Sequence, residues 1–340
     1  MRDVAIAGGG PVGLATALYV ARSGLDVVVY EPRAGVIDKA CGEGLMPGAV
    51  AALAGLGVVV EGMPFRGIRY LGSGRTVSAT FRAGTGLGVR RTTLHAALRG
   101  AVDAAGIHVV RRAVSEVRHE PGGVVVDGDH ARFLVAADGL HSPTRRRLGL
   151  DAPAGGRRRF GLRGHAAIAP WTDLVEVHWS RTAEAYVTPV GTDQVGVAVL
   201  TYERGGLEEQ LRSFPALRER LQGLPLSPAR GAGPLRQRSR RRVSRRVLLV
   251  GDASGYVDAV TGEGLTVGFA QARAAVDALV VDRPLDYERA WRKVTRRNEL
   301  LTRALLAATA RPAARRALVP TAAALPAVFR AAVHELGRMP

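Results

Sequence analysis

The sequence predicts an α/β protein: a parallel sheet interrupted by an antiparallel β-rich insertion and closed by C-terminal helices. Three observations predict it. A glycine-rich strand–turn–helix–strand unit opens the chain over residues 1–31. Two later apolar strands run into Asp138-Gly139 and Gly251-Asp252. Between those strands, over residues 155–235, the helical period nearly disappears and short alternating runs replace it.

In the opening unit, Val4-Ala5-Ile6-Ala7 suits a buried parallel strand, and Gly8-Gly9-Gly10-Pro11-Val12-Gly13 follows at once with the G-x-G-x-x-G spacing. Gly8 permits the tight turn, Gly10 lets backbone approach a pyrophosphate, and Gly13 lets helix and strand pack closely. Leu14–Ser23 carries apolar residues at helical spacing, Gly24 closes the helix, and Leu25–Tyr30 reads as a second strand. A helix N-terminus offers free N–H groups to phosphate. Glu31, at the end of the second strand, is placed to accept hydrogen bonds from a ribose. Triplet, strands, helix and acid stand in register, which a lone glycine-rich turn would not achieve.

Pro32-Arg33 leads into a long glycine- and charge-rich loop, Ala34–Gly48, centred on Cys41, Glu43 and their glycines, which predicts approach to a ligand. A short helix over Ala49–Leu56 follows. Gly67–Leu71 and Arg75–Arg82 form a hairpin around Gly72-Ser73-Gly74. Arg91 precedes a helix over Leu94–Ala104, and Ile107–Val110 is a strand. Ala113–Val117 and Val124–Asp127 pair around Pro121-Gly122-Gly123. The strand Phe133–Ala137 ends in Asp138-Gly139, at the carboxyl edge where open α/β sheets bind ligands. Leu174–Trp179, Glu184–Pro189 and Gln194–Leu200 are antiparallel strands. Val247–Val250 returns to the parallel sheet; Gly262, Glu263 and Gly264 then bring amides to a helix over Thr266–Val280. The tail from Leu285 reads as helices broken near Pro312 and Pro320, packing on the sheet or offering an interfacial face to a lipid-like substrate.

The chain has 340 residues, 47% hydrophobic and 23% charged, so it can bury a large core. It contains no apolar run of membrane-spanning length, and its first strand leaves no room for a signal peptide; with a single cysteine, the expected location is the cytoplasm. The net charge is +18, almost all of it arginine, and aromatics are only 5% and scattered. Nucleic-acid sites interleave basic and stacking aromatic residues, so nucleic acid is not expected. The run Arg236–Arg246 is expected to be a solvated segment leading into a strand, with docking of an acidic partner, such as a carrier protein or a coenzyme A thioester, as the other reading. No His, Cys and carboxylate cluster has metal-ligand spacing.

Taken together, the three signals resemble the FAD-dependent group that contains para-hydroxybenzoate hydroxylase-type enzymes and geranylgeranyl reductases. The resemblance covers about residues 1–285. It implies a discontinuous Rossmann-like FAD-binding domain (1–65, 88–152 and 240–285), an inserted β-rich substrate domain (66–87 and 153–239) and C-terminal helices over 286–340. It places Gly8, Gly10, Pro11, Val12 and Gly13 at the pyrophosphate, and Glu31, followed by Arg33, at the adenosine ribose. Arg91, in Arg-x-x-Leu, and Asp252 fall near the pyrophosphate and ribityl chain, with Asp138, Gly139 and Gly251 at the same strand ends. Gly262, Glu263, Gly264 and Leu265 line the flavin, and Val114 sits by the adenine. Gly255 stands where hydroxylases carry His, and Cys41-Gly42 is similar to a reductase segment near the flavin. Ala259 replaces a hydroxylase proline, and Glu184, Tyr186 and Thr188 replace a reductase Tyr-x-Trp-x-Phe-Pro.

Cys41, Glu43 and Tyr186 are the candidate catalytic residues: a thiol or buried hydrophobe, a loop carboxylate, and a proton donor or pocket wall. His165 and His178 are expected to be satisfied or exposed. The leading expectation is a monooxygenase acting on an aromatic or polyketide-like molecule, reduced by NAD(P)H, in secondary metabolism. The alternative is a reductase of isoprenoid double bonds; a flavin-binding redox sensor or arginine-rich binding protein is the non-enzymatic reading.

Overall fold

The computed structural model describes residues 1–338. Five parallel strands form its main sheet in the order Val247–Leu249, Asp129–Ala136, Arg2–Ala7, Val27–Tyr30 and His108–Val110. Val4, Ile6, Val29, Phe133, Val135 and Leu248 are fully buried, as β-branched and apolar strands covered on both faces must be. Helix Pro11–Arg22 starts with proline at its first position, where no N–H is needed, and ends before Gly24 at φ +74°.

An antiparallel hairpin, Val117–Glu120 and Gly123–Val126, extends the sheet. It corrects the expected pairing of Ala113–Val117: the strand begins four residues later because Ser115 and Glu116 donate their backbone N–H groups to the Asp127 carboxylate instead.

The second sheet has seven strands, with Phe160–Ala166, Gln194–Thr201, Ala183–Gly191, Leu174–Trp179 and the hairpin Gly67–Gly72/Arg75–Thr80 in spatial order after Arg230–Ala232. All its pairings are antiparallel except Leu174–Trp179 with Gly67–Gly72, which joins the early hairpin to the later insertion. Two short helices, Leu207–Leu211 and Pro215–Arg220, cover its other face where no helix was expected.

The tail forms helices Asp286–Ala308, Pro312–Ala324 and Pro326–Leu336. The break is at Leu325–Pro326 and not at Pro320, which lies inside a helix. Proline there removes the hydrogen bond to the carbonyl four residues back. That carbonyl, on Arg316, accepts from the Ser73 hydroxyl at 3.0 Å, so the tertiary contact offsets the loss. Within the Arg236–Arg246 run, Arg236, Arg238, Arg240, Arg241 and Arg245 are exposed, as a solvated segment should be.

Candidate functional site

One cleft runs across the carboxyl ends of the parallel strands and under the second sheet, bringing most of the expected residues together. At one end, Gly8 has φ +106°, and a Cβ there would lie 2.6 Å from the Ala137 carbonyl oxygen. A Cβ on Gly13 would lie 1.9 Å from the Gly8 oxygen, so Gly13 serves helix–strand packing and does not line the cleft. Gly10 is different. Nothing lies within 4 Å of its would-be Cβ, and it lines the cleft with Gly8, Pro11 and Val12 at the helix N-terminus.

Glu31 accepts from the Gly9 N–H at 2.8 Å and from the Arg33 side chain at 2.8 Å. Burial pushes its carboxyl up, but the hydrogen bonds from Arg33 and Gly9 outweigh that and hold it below its ordinary value. Glu31 therefore stays ionised beside the glycine turn.

Across the cleft, Asp138 accepts from the Thr144 N–H at 2.9 Å through one oxygen, while its other oxygen is buried without a partner. Asp252 faces the Lys39 ammonium at 3.8 Å, and Gly139 and Gly251 adopt positive φ beside them. The helix Gly264–Val280 points its N-terminus at the cleft, with Gly262, Gly264 and Leu265 on the wall.

The loop 34–48 is held by Glu43, which sits at φ +58° and is buried. One carboxylate oxygen caps the helix Arg91–Ala104 by accepting from the Arg91 N–H at 2.8 Å. The other lies 2.7 Å from His165 Nε2, and the Arg163 guanidinium is 3.6 Å from the capping oxygen. His165 is satisfied as expected, its second ring nitrogen 3.3 Å from the Ser227 hydroxyl. Glu43 is thus a fastener between loop, helix and second sheet, not a solvated charge. Cys41 lines the cleft, and burial pushes its thiol up, with the Arg91 charge opposing only in part. Its resting form at neutral pH is the thiol, a weak nucleophile. The Arg91 side chain also lines the cleft, and its Nε is buried without a partner.

The far wall is one face of the second sheet. Ile68 and Tyr70 stand beside Val175 and Val177, and Tyr186 pairs with Val177 and Ala198 across the strands. Tyr186 donates to the Val260 carbonyl at 3.1 Å, and burial, then the Glu184 charge, raises its phenol well above the ordinary value. It keeps its proton and spends it on the backbone of the segment leading to Gly262. Two residues further along this face lies Glu184, fully buried against Arg159 and 2.6 Å from the Arg315 guanidinium; Arg159 also reaches Asp258 at 2.8 Å. Burial works against charge on Arg159, but Glu184 and Asp258 outweigh it and keep the guanidinium protonated.

Besides Gly13, three expected cofactor residues do not line the cleft: Glu31, whose carboxylate is taken up by Gly9 and Arg33, and Val114 and Glu263. Val114 is packed among Val110, Val124 and Val126 beneath the sheet. Glu263 turns its side chain away to Asn298 at 3.0 Å and Arg297 at 3.6 Å, and burial pushes its carboxyl up to about 7. The expectation overlooked Lys39, Phe65, Tyr70 and Tyr256. Alternation in Ile68–Tyr70 was a usable signal for one of them; the others depend on how loops fold over the cleft.

FAD fits these residues on three counts. The Gly10 cradle is open where a pyrophosphate needs backbone amides, and Arg91 and Asp138, each with a buried polar atom that has no partner, line the cleft where phosphate and hydroxyl groups would sit. The helix N-termini at Pro11 and Gly264 both point to it.

Comparison with known proteins agrees. The FAD binding domain family matches residues 1–281. Menaquinone reductase of Mycolicibacterium smegmatis is 30% identical over 325 residues, covering 85% of this chain and 79% of that protein. The chloroplastic geranylgeranyl diphosphate reductase of Oryza sativa subsp. japonica is 26% identical over 312 residues, covering 82% and 66%. Rifampicin monooxygenase of Streptomyces venezuelae is 28% identical over 309 residues, covering 80% and 62%. Among solved structures, the flavin-dependent brominase Bmp2 shares the fold at TM-score 0.82 with 15% identity, covering 99% of this chain and 93% of that one. The resemblance drawn from the glycine and acid motifs is correct, and the chain belongs to the FAD binding domain family, as a flavoprotein oxidoreductase.

Proposed function

We propose that this oxidoreductase is a reductase of isoprenoid double bonds, taking electrons from NAD(P)H. The observation that carries the reading is the substrate end of the cleft, walled by Phe65, Ile68, Val175, Val177, Leu200 and Leu235. Such a wall suits a hydrocarbon chain, which binds by apolar burial, better than a polar ring. The 30% identity to a menaquinone reductase over most of both chains supports the same choice over the expected monooxygenase.

Bound FAD would supply the electron pair, as hydride. The chain's own residues bind and orient. Gly8, Gly10 and the Pro11 helix would hold the pyrophosphate, Glu31 the ribose, and Arg91, Asp138 and Asp252 the remaining polar groups. Gly262–Leu265 would back the flavin ring, and the sheet face would press an alkene against it while excluding water. Tyr186 would position the Val260 segment beside the ring; its phenol is already donating, so it acts as pocket wall. Saturating a double bond also consumes one proton.

The test is anaerobic turnover of the FAD-loaded protein with NAD(P)H and an isoprenoid diphosphate or an isoprenoid quinone. Saturated product without oxygen supports the reading. Turnover that requires oxygen, with one oxygen atom in the product, would return the assignment to monooxygenation.

A further inference from the structure

The last two helices meet at 101°, forming an elbow around Leu325 and Pro326. Their inward residues, Val319, Phe329 and Val333, are buried against the hairpin strands of the second sheet. From Pro312 to His334 they carry no carboxylate, and Glu335, near the end of the second helix, is paired with Arg338 at 2.8 Å and Arg297 at 3.9 Å. Ala313, Ala317, Ala324, Leu325, Val328 and Ala331 are all exposed, Leu325 at 52% and Val328 at 64%. Three exposed arginines, Arg311, Arg316 and Arg330, flank this surface and form no ion pair with another described residue. A solvated face usually mixes both signs of charge and avoids contiguous apolar surface. This one pairs apolar side chains with cations only, the composition of a helix lying in the headgroup layer of an anionic bilayer.

The elbow also adjoins the cleft. The Phe329 ring packs edge-on to Tyr70 at 5.0 Å between centroids, and Tyr70 lines the apolar wall; Leu336, at the end of the same helix, lines the cleft as well. Phe329 and Tyr70 thus connect the elbow to the wall of the substrate end. No single helix among the described residues is long and apolar enough to cross a membrane. Contact would be peripheral, with the elbow tip immersed.

We infer that the elbow docks reversibly on an anionic lipid bilayer and brings the apolar end of the cleft to a membrane-dissolved substrate. The second half of this inference rests on the reductase reading; the docking does not.

The experiment is co-sedimentation of the FAD-loaded full chain with phosphatidylcholine vesicles, with and without phosphatidylglycerol. Binding is expected to the anionic vesicles and to weaken with added salt. Leu325→Glu with Val328→Glu should lower the partition coefficient by at least about tenfold while leaving flavin content unchanged. Arg316→Glu with Arg330→Glu, which leaves the apolar tip intact, should also lower it and flatten its salt dependence. No vesicle binding by the parent chain, or binding that survives both double variants, overturns the proposal. So does a chain that dimerises through this face and becomes monomeric in Leu325→Glu/Val328→Glu without ever binding vesicles. An anaerobic assay on a water-soluble isoprenoid diphosphate separates the two readings. No turnover there, nor on an isoprenoid quinone, with vesicle binding intact sinks the reductase reading alone, whereas turnover without vesicle binding sinks the docking alone.

Discussion

The Glu43 carboxylate lies 2.7 Å from His165 Nε2 and accepts the Arg91 N–H at 2.8 Å, so one side chain joins the cleft loop to the second sheet and to a helix of the first. Glu43→Ala leaves both partners buried and unsatisfied, a loss of about 1–3 kcal/mol or more. Glu43→Gln can still accept from Arg91 and should cost less. Thermal denaturation should rank the proteins parent, Gln, Ala, and flavin affinity should fall in the same order. Equal melting temperatures would show that the loop is held by something else.

Gly10 and Gly13 should respond oppositely to alanine. At Gly10 the added methyl meets nothing within 4 Å and φ is −72°, so apoprotein stability should change by no more than about 0.5 kcal/mol. FAD affinity should nevertheless drop at least about tenfold, because the methyl occupies the pyrophosphate cradle. At Gly13 the methyl would lie 1.9 Å from a backbone oxygen, so the apoprotein itself should be destabilised. Apoprotein melting and flavin titration together check both.

The half-buried Cys41 thiol, with its pKa raised by desolvation, should alkylate slowly at neutral pH in the native protein and faster once the chain is unfolded. Cys41→Ser should retain flavin. Rapid native alkylation at pH 7, measured by mass spectrometry, would instead make Cys41 an activated thiol.

Glu263 has a folded pKa of about 7 against an ordinary 4.5. A raised pKa means the folded state holds a proton that the unfolded chain releases, so its stabilising effect is complete below about pH 4.5 and is lost as pH rises through about 7. Glu263→Gln keeps the Asn298 partner and removes the titration. Its stability relative to the parent should therefore improve between pH 5 and pH 8, by on the order of 2–3 kcal/mol at most. A difference independent of pH would mean that Arg297 keeps the carboxylate ionised.

Removing Glu184 should be severe. Glu184→Ala leaves Arg315 with no carboxylate and Arg159 with Asp258 alone, and breaking such a buried network costs about 3–5 kcal/mol. The loss should appear in urea denaturation as a lower midpoint. A midpoint within experimental scatter of the parent would show the two arginines to be hydrated.

The opening unit was legible from sequence because its constraints are local. Gly8, Gly10 and Gly13 act within six residues, and Glu31 reaches Gly9 from the end of the next strand. The antiparallel insertion followed from short-range alternation for the same reason, and the flavin fold from the resemblance that the glycine and acid motifs carry. The roles of Glu43 and Glu263 did not. Both are acids flanked by glycines, yet one is clamped by His165, 122 residues away, and the other by Asn298 in the tail. Pro320 makes the same point, since the carbonyl it frees on Arg316 is satisfied by Ser73, 243 residues away in sequence. A sequence specifies its own backbone preferences and burial pattern at short range; which distant donor satisfies a buried acid, or a carbonyl left free by proline, is decided only when the two sheets and the tail close around the cleft.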